Sequence, residues 1–179
     1  HELRLNTVKD HISQILAQSD KKVYFLFDTV VPRSKLKDIL RYFFLLSERL
    51  ELPILNTFHA GDGNIHPTIF YNPEVETDIE KLNLFLYLMI TKAVELGGAV
   101  SGEHGIGVEK KDVQYLVTDQ SLYAMYEKIK RFFDEHRVLN PGKLLATPQS
   151  VRDYKQSVEK LIKKYSDRLT GVEWNDTLE

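Results

Sequence analysis

Apolar residues recur at helical spacing over residues 3–17, through Leu5, Val8, Ile12, Ile15 and Leu16, and this period predicts a helix. The pattern then changes. "KKVYFLFDTVVP" is rich in β-branched and aromatic residues and closes on Pro32, so residues 23–30 read as a strand. "RSKLKDILRYFFLLSERL" returns to the helical period through Leu36, Ile39, Leu40, Phe43 and Leu46, with Ser34 as the expected N-cap. "LPILNTFHA" reads as a second strand and "IHPTIFY" as a third, separated by a Gly-Asp-Gly-Asn turn. Residues 78–96 read as a long helix that Gly97 and Gly98 terminate. "AVSG" is a short strand or an extended entry to the glycine-rich loop "GEHGIGVEKKD". Residues 115–136 read as mainly helical after a break near Thr118-Asp119. "VLNPGKLL" reads as a turn, residues 149–169 as a charged terminal helix, and the last residues as frayed.

The order β-α-β-β-α-β with flanking helices predicts an α+β layer fold. Residues 1–22 form an N-terminal helical segment, 23–146 the main domain, and 147–179 an appended helix and tail. There is no internal repeat, low-complexity tract or clear linker, and the boundary falls near Thr147-Pro148.

Composition narrows the chemistry. Hydrophobic content of 42% and charged content of 28% suit a soluble globular chain. A net charge of −2 carries no polyanion-binding signature, which argues against nucleic acid as a partner. With no cysteine, thiolate nucleophiles, disulfides and sulfur-rich metal sites are excluded. Any metal must be held by His, Asp and Glu. The apolar run "LNLFLYLMI" is too short to span a bilayer, and no signal peptide opens the chain. The first residue is His1 rather than Met, which suggests a piece of something longer.

Two loops carry candidate chemistry. In "HAGDGNIHP", taking Asp62-Gly63 as the central pair of a two-residue hairpin turn makes His59 and His66 direct cross-strand partners. Their Cβ atoms would then lie about 4.5–5.5 Å apart, and both imidazoles could reach one cation. Plain packing of two histidines around ordinary turn chemistry accounts for the same residues. "SGEHGIGVEKK" offers Glu103 as a third ligand, giving a His₂Glu set with room for water or substrate. In an extended segment Glu103 and His104 point to opposite sides, so His104 is free to serve as a general base, a role for which imidazole is suited near neutrality. A glycine-rich loop with an incidental surface histidine remains the other reading.

Taken together, "VVPRS", "HAGDGNIHP", "SGEHGIG" and "LNPGK" resemble the C-terminal cap domain of the FAD-linked 2-hydroxy-acid oxidoreductases, the family of the glycolate oxidase D subunit, D-lactate dehydrogenase and D-2-hydroxyglutarate dehydrogenase. The resemblance runs from about residue 23 to 145. It implies a ferredoxin-like fold, an antiparallel sheet with helices on one face. It implies that His59, His66 and Glu103 bind a divalent cation such as zinc or manganese, that His104 takes the hydroxyl proton, and that Asn140 lies in a segment approaching the flavin. Hydride would pass to FAD as the hydroxyl becomes a 2-oxo group. Asn64, Thr68 and Arg33 are candidate substrate contacts, although Arg33 also reads as a solvated residue before a helix. Relatives acting on diacids carry Lys where this chain has Leu26, and many carry Asn where it has Thr68. These departures favour a small monocarboxylate such as glycolate or lactate.

No glycine-rich pyrophosphate-binding stretch precedes Val23. The chain alone is therefore expected to bind FAD poorly and to need an FAD-binding domain or subunit. The apolar content of "LNLFLYLMI" and "YFFLL" is expected to exceed what one small core buries, leaving a docking surface for that domain. A homo-oligomer is left open, and the expected location is cytoplasmic, peripheral at the membrane through partner subunits. A free-standing metal-dependent hydrolase and a non-catalytic ligand-binding module are the competing readings.

Overall fold

A computed structural model of the chain describes residues 2–173. The expected fraying of the last residues concerns 174–179, outside the described residues.

Helix α1 (Glu2–Gln18) precedes a sheet whose central strand is β4 (Asn64–Tyr71). One edge of β4 pairs antiparallel with β1 (Val23–Leu26) and β2 (Thr29–Val30), and the other with β3 (Ile54–His59). The expected strand over 23–30 is thus split between Phe27 and Asp28, which turn inward; both are buried. The expected strand at "AVSG" contracts to a single bridge between Ala99 and Val30. That bridge places Ala99 outside the first lane, which gives the four-lane order of a ferredoxin-like βαββαβ unit.

Alternation along β4 divides the sheet. Ile65 and Ile69 enter the core with Phe27, while Asn64, His66 and Thr68 point to the other face. The core face is covered by α2 (Leu36–Leu50) and α3 (Glu76–Glu95). Helix α2 buries Ile39, Tyr42, Phe43, Leu46 and Leu50, the stripe its period predicts. Ser34 is not its cap. A 3-10 turn (Arg33–Lys35) follows Pro32 and leads directly into α2, whose N-cap is Lys35 and which has no side-chain cap.

Helix α3 is apolar all round. From Leu82 to Ala93 it buries Leu84, Phe85, Leu86, Tyr87, Leu88, Met89 and Ile90. The expectation that this excess would stay open for docking is corrected here: helix α6 (Pro148–Lys164) lies on α3 and on α4 (Lys111–Val117). It buries Val151, Val158 and Leu161 and sets Tyr154 against Tyr87 with ring centroids 6.5 Å apart. Thr147 and Ser150 form a reciprocal capping box at its start, and Ser150 Oγ donates to Asp112 on α4 at 2.6 Å. At its far end Lys164 Nζ and Tyr165 Oη both donate to Glu80 of α3.

The helical break near residues 118–119 is present. Asp119 caps α5 (Gln120–Phe133) by accepting the N–H groups of Ser121 and Leu122. Among the described residues, Tyr123 is the one α5 side chain that is buried. Leu122, Met125, Ile129, Phe132 and Phe133 are exposed, Phe132 by 81%. Among the described residues no helix is long and apolar enough to cross a membrane.

Candidate functional site

The β3–β4 hairpin turns over residues 60–63, wider than the two-residue turn expected. The N–H groups of Asp62 and Gly63 both donate to the carbonyl of His59 at 3.0 Å. This shifts the register: His59 pairs with Asn64, and His66 with Thr57. The direct cross-strand pairing of the two histidines is therefore corrected. Residues two apart on a strand share a face, so His66 remains a diagonal neighbour of His59. Their rings stand edge-on with centroids 5.4 Å apart. Gly63 is required here for two reasons. Its φ is +77°, and a Cβ would lie 2.0 Å from the carbonyl oxygen of Val31.

The glycine-rich loop of residues 101–107 folds over this face. Gly102 lies so close that a Cβ would stand 2.6 Å from the Asn64 side chain. The loop delivers Glu103 to the histidines. Its Oε1 lies 3.0 Å from Nε2 of His66, 3.8 Å from Nε2 of His59 and 3.8 Å from Nε2 of His104. His104 does not point away from Glu103, as an extended loop would require. It stacks on His66 at 4.7 Å, with the planes inclined by 24°. The physical reason is that successive backbone N–H groups from 102 to 104 bend around one buried carboxylate, that of Asp28.

Asp28 accepts the Ser101 hydroxyl and the N–H groups of Gly102, Glu103 and His104. Burial works to raise its pKa. The bonds from Ser101 and the His104 N–H, with the charge of Lys110, outweigh that and hold the carboxyl below the usual range. Lys110, itself buried, donates from Nζ to the Asp28 carbonyl at 2.7 Å. Its own pKa is lowered, mainly by desolvation. Sequence reasoning passed over Asp28 and Lys110 as functional groups. The available signal was an acid inside an otherwise apolar strand, "YFLFDTVV".

His66 is buried and its pKa is lowered, first by desolvation and then by the neighbouring His104. A neutral ring with a free lone pair is the form a metal binds. Neither ring nitrogen makes a hydrogen bond, although Nε2 is 3.0 Å from Glu103. Two donors each about 2.1 Å from one ion at a tetrahedral angle stand roughly 3.4 Å apart. The spacings around Glu103 bracket that value, and ligand atoms of His59, His66 and Glu103 all fall within 4.8 Å of one another. The donor set therefore fits a divalent cation, with the exposed side of His59 and Glu103 open to water or substrate.

The remaining candidates are placed as follows. Asn64 and Thr68 are buried on the His66 face, Asn64 with an unpaired Oδ1. Arg33 is exposed in the 3-10 turn beside the hairpin loop. Asn140 is exposed at φ +46° in an irregular turn. That turn is tied to the end of the glycine-rich loop, through Leu144 N–H donating to Gly107 O at 2.8 Å and Lys111 Nζ to Gly142 O at 2.9 Å. The structure therefore joins the two loops that sequence alone could not connect, while leaving Asn140 outside the histidine cluster.

The family of FAD linked oxidases, C-terminal domain, matches residues 4–144, and the chain belongs to it. The chain is 34% identical over 124 residues to glycolate oxidase subunit GlcD of Escherichia coli (strain K12), covering 69% of this chain and 25% of that protein. It is 32% identical over 127 residues to the GlcD of Bacillus subtilis (strain 168), covering 70% and 27%. To a D-lactate dehydrogenase of Anaerostipes hadrus it is 38% identical over 120 residues, covering 65% and 25%. The chain thus spans about a quarter of the length of these relatives. Its relatives are FAD-linked oxidoreductases, and helix α6 lies beyond the matched residues.

Proposed function

We propose that this chain is the metal- and substrate-binding domain of an FAD-dependent 2-hydroxy-acid dehydrogenase or oxidase, of the glycolate or D-lactate type. The observation that carries this reading is the convergence of three imidazole nitrogens on Glu103 Oε1 at 3.0–3.8 Å. His59, His66 and Glu103 would hold a divalent ion, zinc or manganese. When bound, that ion supplies a Lewis acid for the substrate oxygens, and the flavin supplies the hydride acceptor.

The chain's own groups do the rest. His104 sits beside Glu103 and accepts the hydroxyl proton on Nε2 while the α-hydrogen leaves as hydride and the carbinol carbon becomes a carbonyl. Burial lowers the pKa of His66, which favours its neutral, metal-binding form. Asn64 and Thr68 present polar atoms on the same sheet face, where a carboxylate or hydroxyl can be oriented. Leu26, half exposed beside Thr68, offers no cation for a second carboxylate, which favours a monocarboxylate.

The FAD-binding portion is expected to meet the exposed stripe of α5, which lies next to the Asn140 turn. The assembled enzyme would be cytoplasmic, with any membrane contact made through partner subunits. The test is dye reduction by the assembled, FAD-bearing enzyme with glycolate and D-lactate, alongside its metal content. Turnover of either acid that needs a bound divalent ion supports the reading; turnover unaffected by full removal of metal overturns it.

A further inference from the structure

Asp28 has no exposed surface, and what surrounds it is unusual in kind. A buried carboxylate is costly unless paired. This one is satisfied almost wholly by the candidate site: the Ser101 hydroxyl, the N–H groups of Gly102 at 3.0 Å, Glu103 at 3.2 Å and His104 at 3.0 Å, and Lys110 Nζ at 3.5 Å. On the remaining side Oδ1 lies 4.0 Å from Nδ1 of His66. That separation is too long for a hydrogen bond, yet Nδ1 is buried and has no other partner. His66 therefore presents Nε2 to Glu103 and Nδ1 to Asp28. A histidine that binds a metal through one nitrogen is commonly oriented by a carboxylate at the other.

We propose that Asp28 is the positioning residue of this site. It holds the backbone of Glu103 and His104 and faces the back nitrogen of His66, so that ligands from a strand and a distant loop arrive in one geometry. Lys110 balances its charge, and Ser101 extends its grip through the Gly105 N–H, which donates to Ser101 Oγ at 2.8 Å. The inference rests on the metal-binding reading of the same residues.

The test compares the 179-residue chain with Asp28→Asn and Ser101→Ala, first by circular dichroism and thermal melting without metal, then by calorimetric titration with zinc. The Asp28→Asn change keeps the side-chain volume and removes the charge. Zinc affinity is expected to fall by about 10- to 100-fold for Asp28→Asn and by a smaller factor for Ser101→Ala, which covers the case of an unfolded Asp28→Asn. In a Glu103→Gln background, Asp28→Asn should weaken zinc much less than in the parent, because the two act through one geometry. Amide nitrogen-15 shifts of residues 102–104, recorded without metal, should move in Asp28→Asn, because the Asp28 carboxylate accepts their N–H groups. Unchanged zinc affinity in both variants, or equal losses in both backgrounds, overturns the positioning role while leaving the metal reading in place. A parent chain that binds no zinc overturns the metal reading, and the amide shifts of residues 102–104 then decide the role of Asp28 alone.

Discussion

His66 Nε2 and Glu103 Oε1 stand 3.0 Å apart without forming a hydrogen bond. One comes from the middle of the central strand and the other from a loop beyond the next helix, so neither local packing nor turn chemistry brings them together. If the pair shares an ion, His66→Ala and Glu103→Gln should each weaken zinc by more than the roughly 100-fold expected for an outer residue. In the parent, saturating zinc at about 100 times its dissociation constant should stabilise the fold by about 2.7 kcal/mol. Thermal melting with and without zinc measures this, and a midpoint that does not move in the parent would remove the metal from the account.

His104 is as close to Glu103 as His59 is, yet the ligand atoms within 4.8 Å of one another are those of His59, His66 and Glu103. Substitution tests this division of base from ligand. In the assembled enzyme His104→Ala should reduce turnover by about 10²–10⁴-fold, the usual contribution of a general base, with metal content unchanged. Loss of the ion together with activity would make His104 a ligand and leave the proton to another group.

Two glycines fix the site backbone for different reasons. Gly63→Ala meets both a positive φ and a backbone carbonyl at 2.0 Å, whereas Gly105, at φ +83°, has nothing within 4 Å of the added carbon. Gly105→Ala should therefore cost about 1–2 kcal/mol, the left-handed penalty alone. Gly63→Ala should cost clearly more, since the carbonyl belongs to Val31, which is buried and whose own N–H is bonded to the Gly63 carbonyl at 3.0 Å. Equilibrium denaturation measures both, and equal losses would show that the hairpin can relax around residue 63.

The helices α2 and α3 were legible because each buries a continuous apolar stripe or surface. The site residues were legible because histidines and a Glu-His pair between glycines are unusual in loops. The hairpin register was not. Asp-Gly signals a two-residue turn, but Gly61 and Gly63 allow the chain to turn over residues 60–63, with two N–H groups sharing the His59 carbonyl. What survived the error was parity: a shift by an even step leaves His59 and His66 on one face. Asp28 was missed because its function lies in contacts with residues 101–104, which no local spacing reveals. The cover on α3 was missed because α6 reads as charged along the chain, and its apolar positions, Val151, Val158 and Leu161, matter only once α3 lies beneath them.

Acidification should release the end of α6 first. Glu80, bound by Lys164 and Tyr165, and Glu51, bound by Arg168 and Lys81, both have pKa values below the ordinary 4.5. A depressed carboxylate stabilises the fold above its unfolded value and ceases to do so as pH falls through its folded value. The window therefore opens at 4.5 and extends downward. Glu51 is largely solvated and Glu80 is 24% exposed, and both pairs sit at the end of α6, so the effect is local. Amide-exchange protection factors, which allow for the slower intrinsic exchange in acid, should fall at residues 164–169 below pH 4.5 while those of the core strands hold. Glu80→Gln should show the lower protection already at neutral pH. Protection that ignores pH would assign the anchoring to Tyr165 and Leu169 packing alone.

Helix α5 poses the converse problem, an apolar stripe with no cover. Leu122, Met125, Ile129 and Phe132 follow the helical period, and Val138 and Leu139 extend the surface past the helix end. A stripe of this kind beside the Asn140 turn, on a chain whose match spans about a quarter of its relatives' length, is the face we propose for the FAD-binding portion. Replacing Ile129 and Phe132 together by Glu removes apolar surface that the chain itself does not bury. The stability of the isolated chain should then change by no more than about 0.5 kcal/mol. In the assembled enzyme the same pair should weaken docking and lower dye-reducing activity, because charge would enter a desolvated contact. Activity that survives the double substitution would place the interface on another face, the exposed side of β1 around Tyr24 and Leu26 being the next to test.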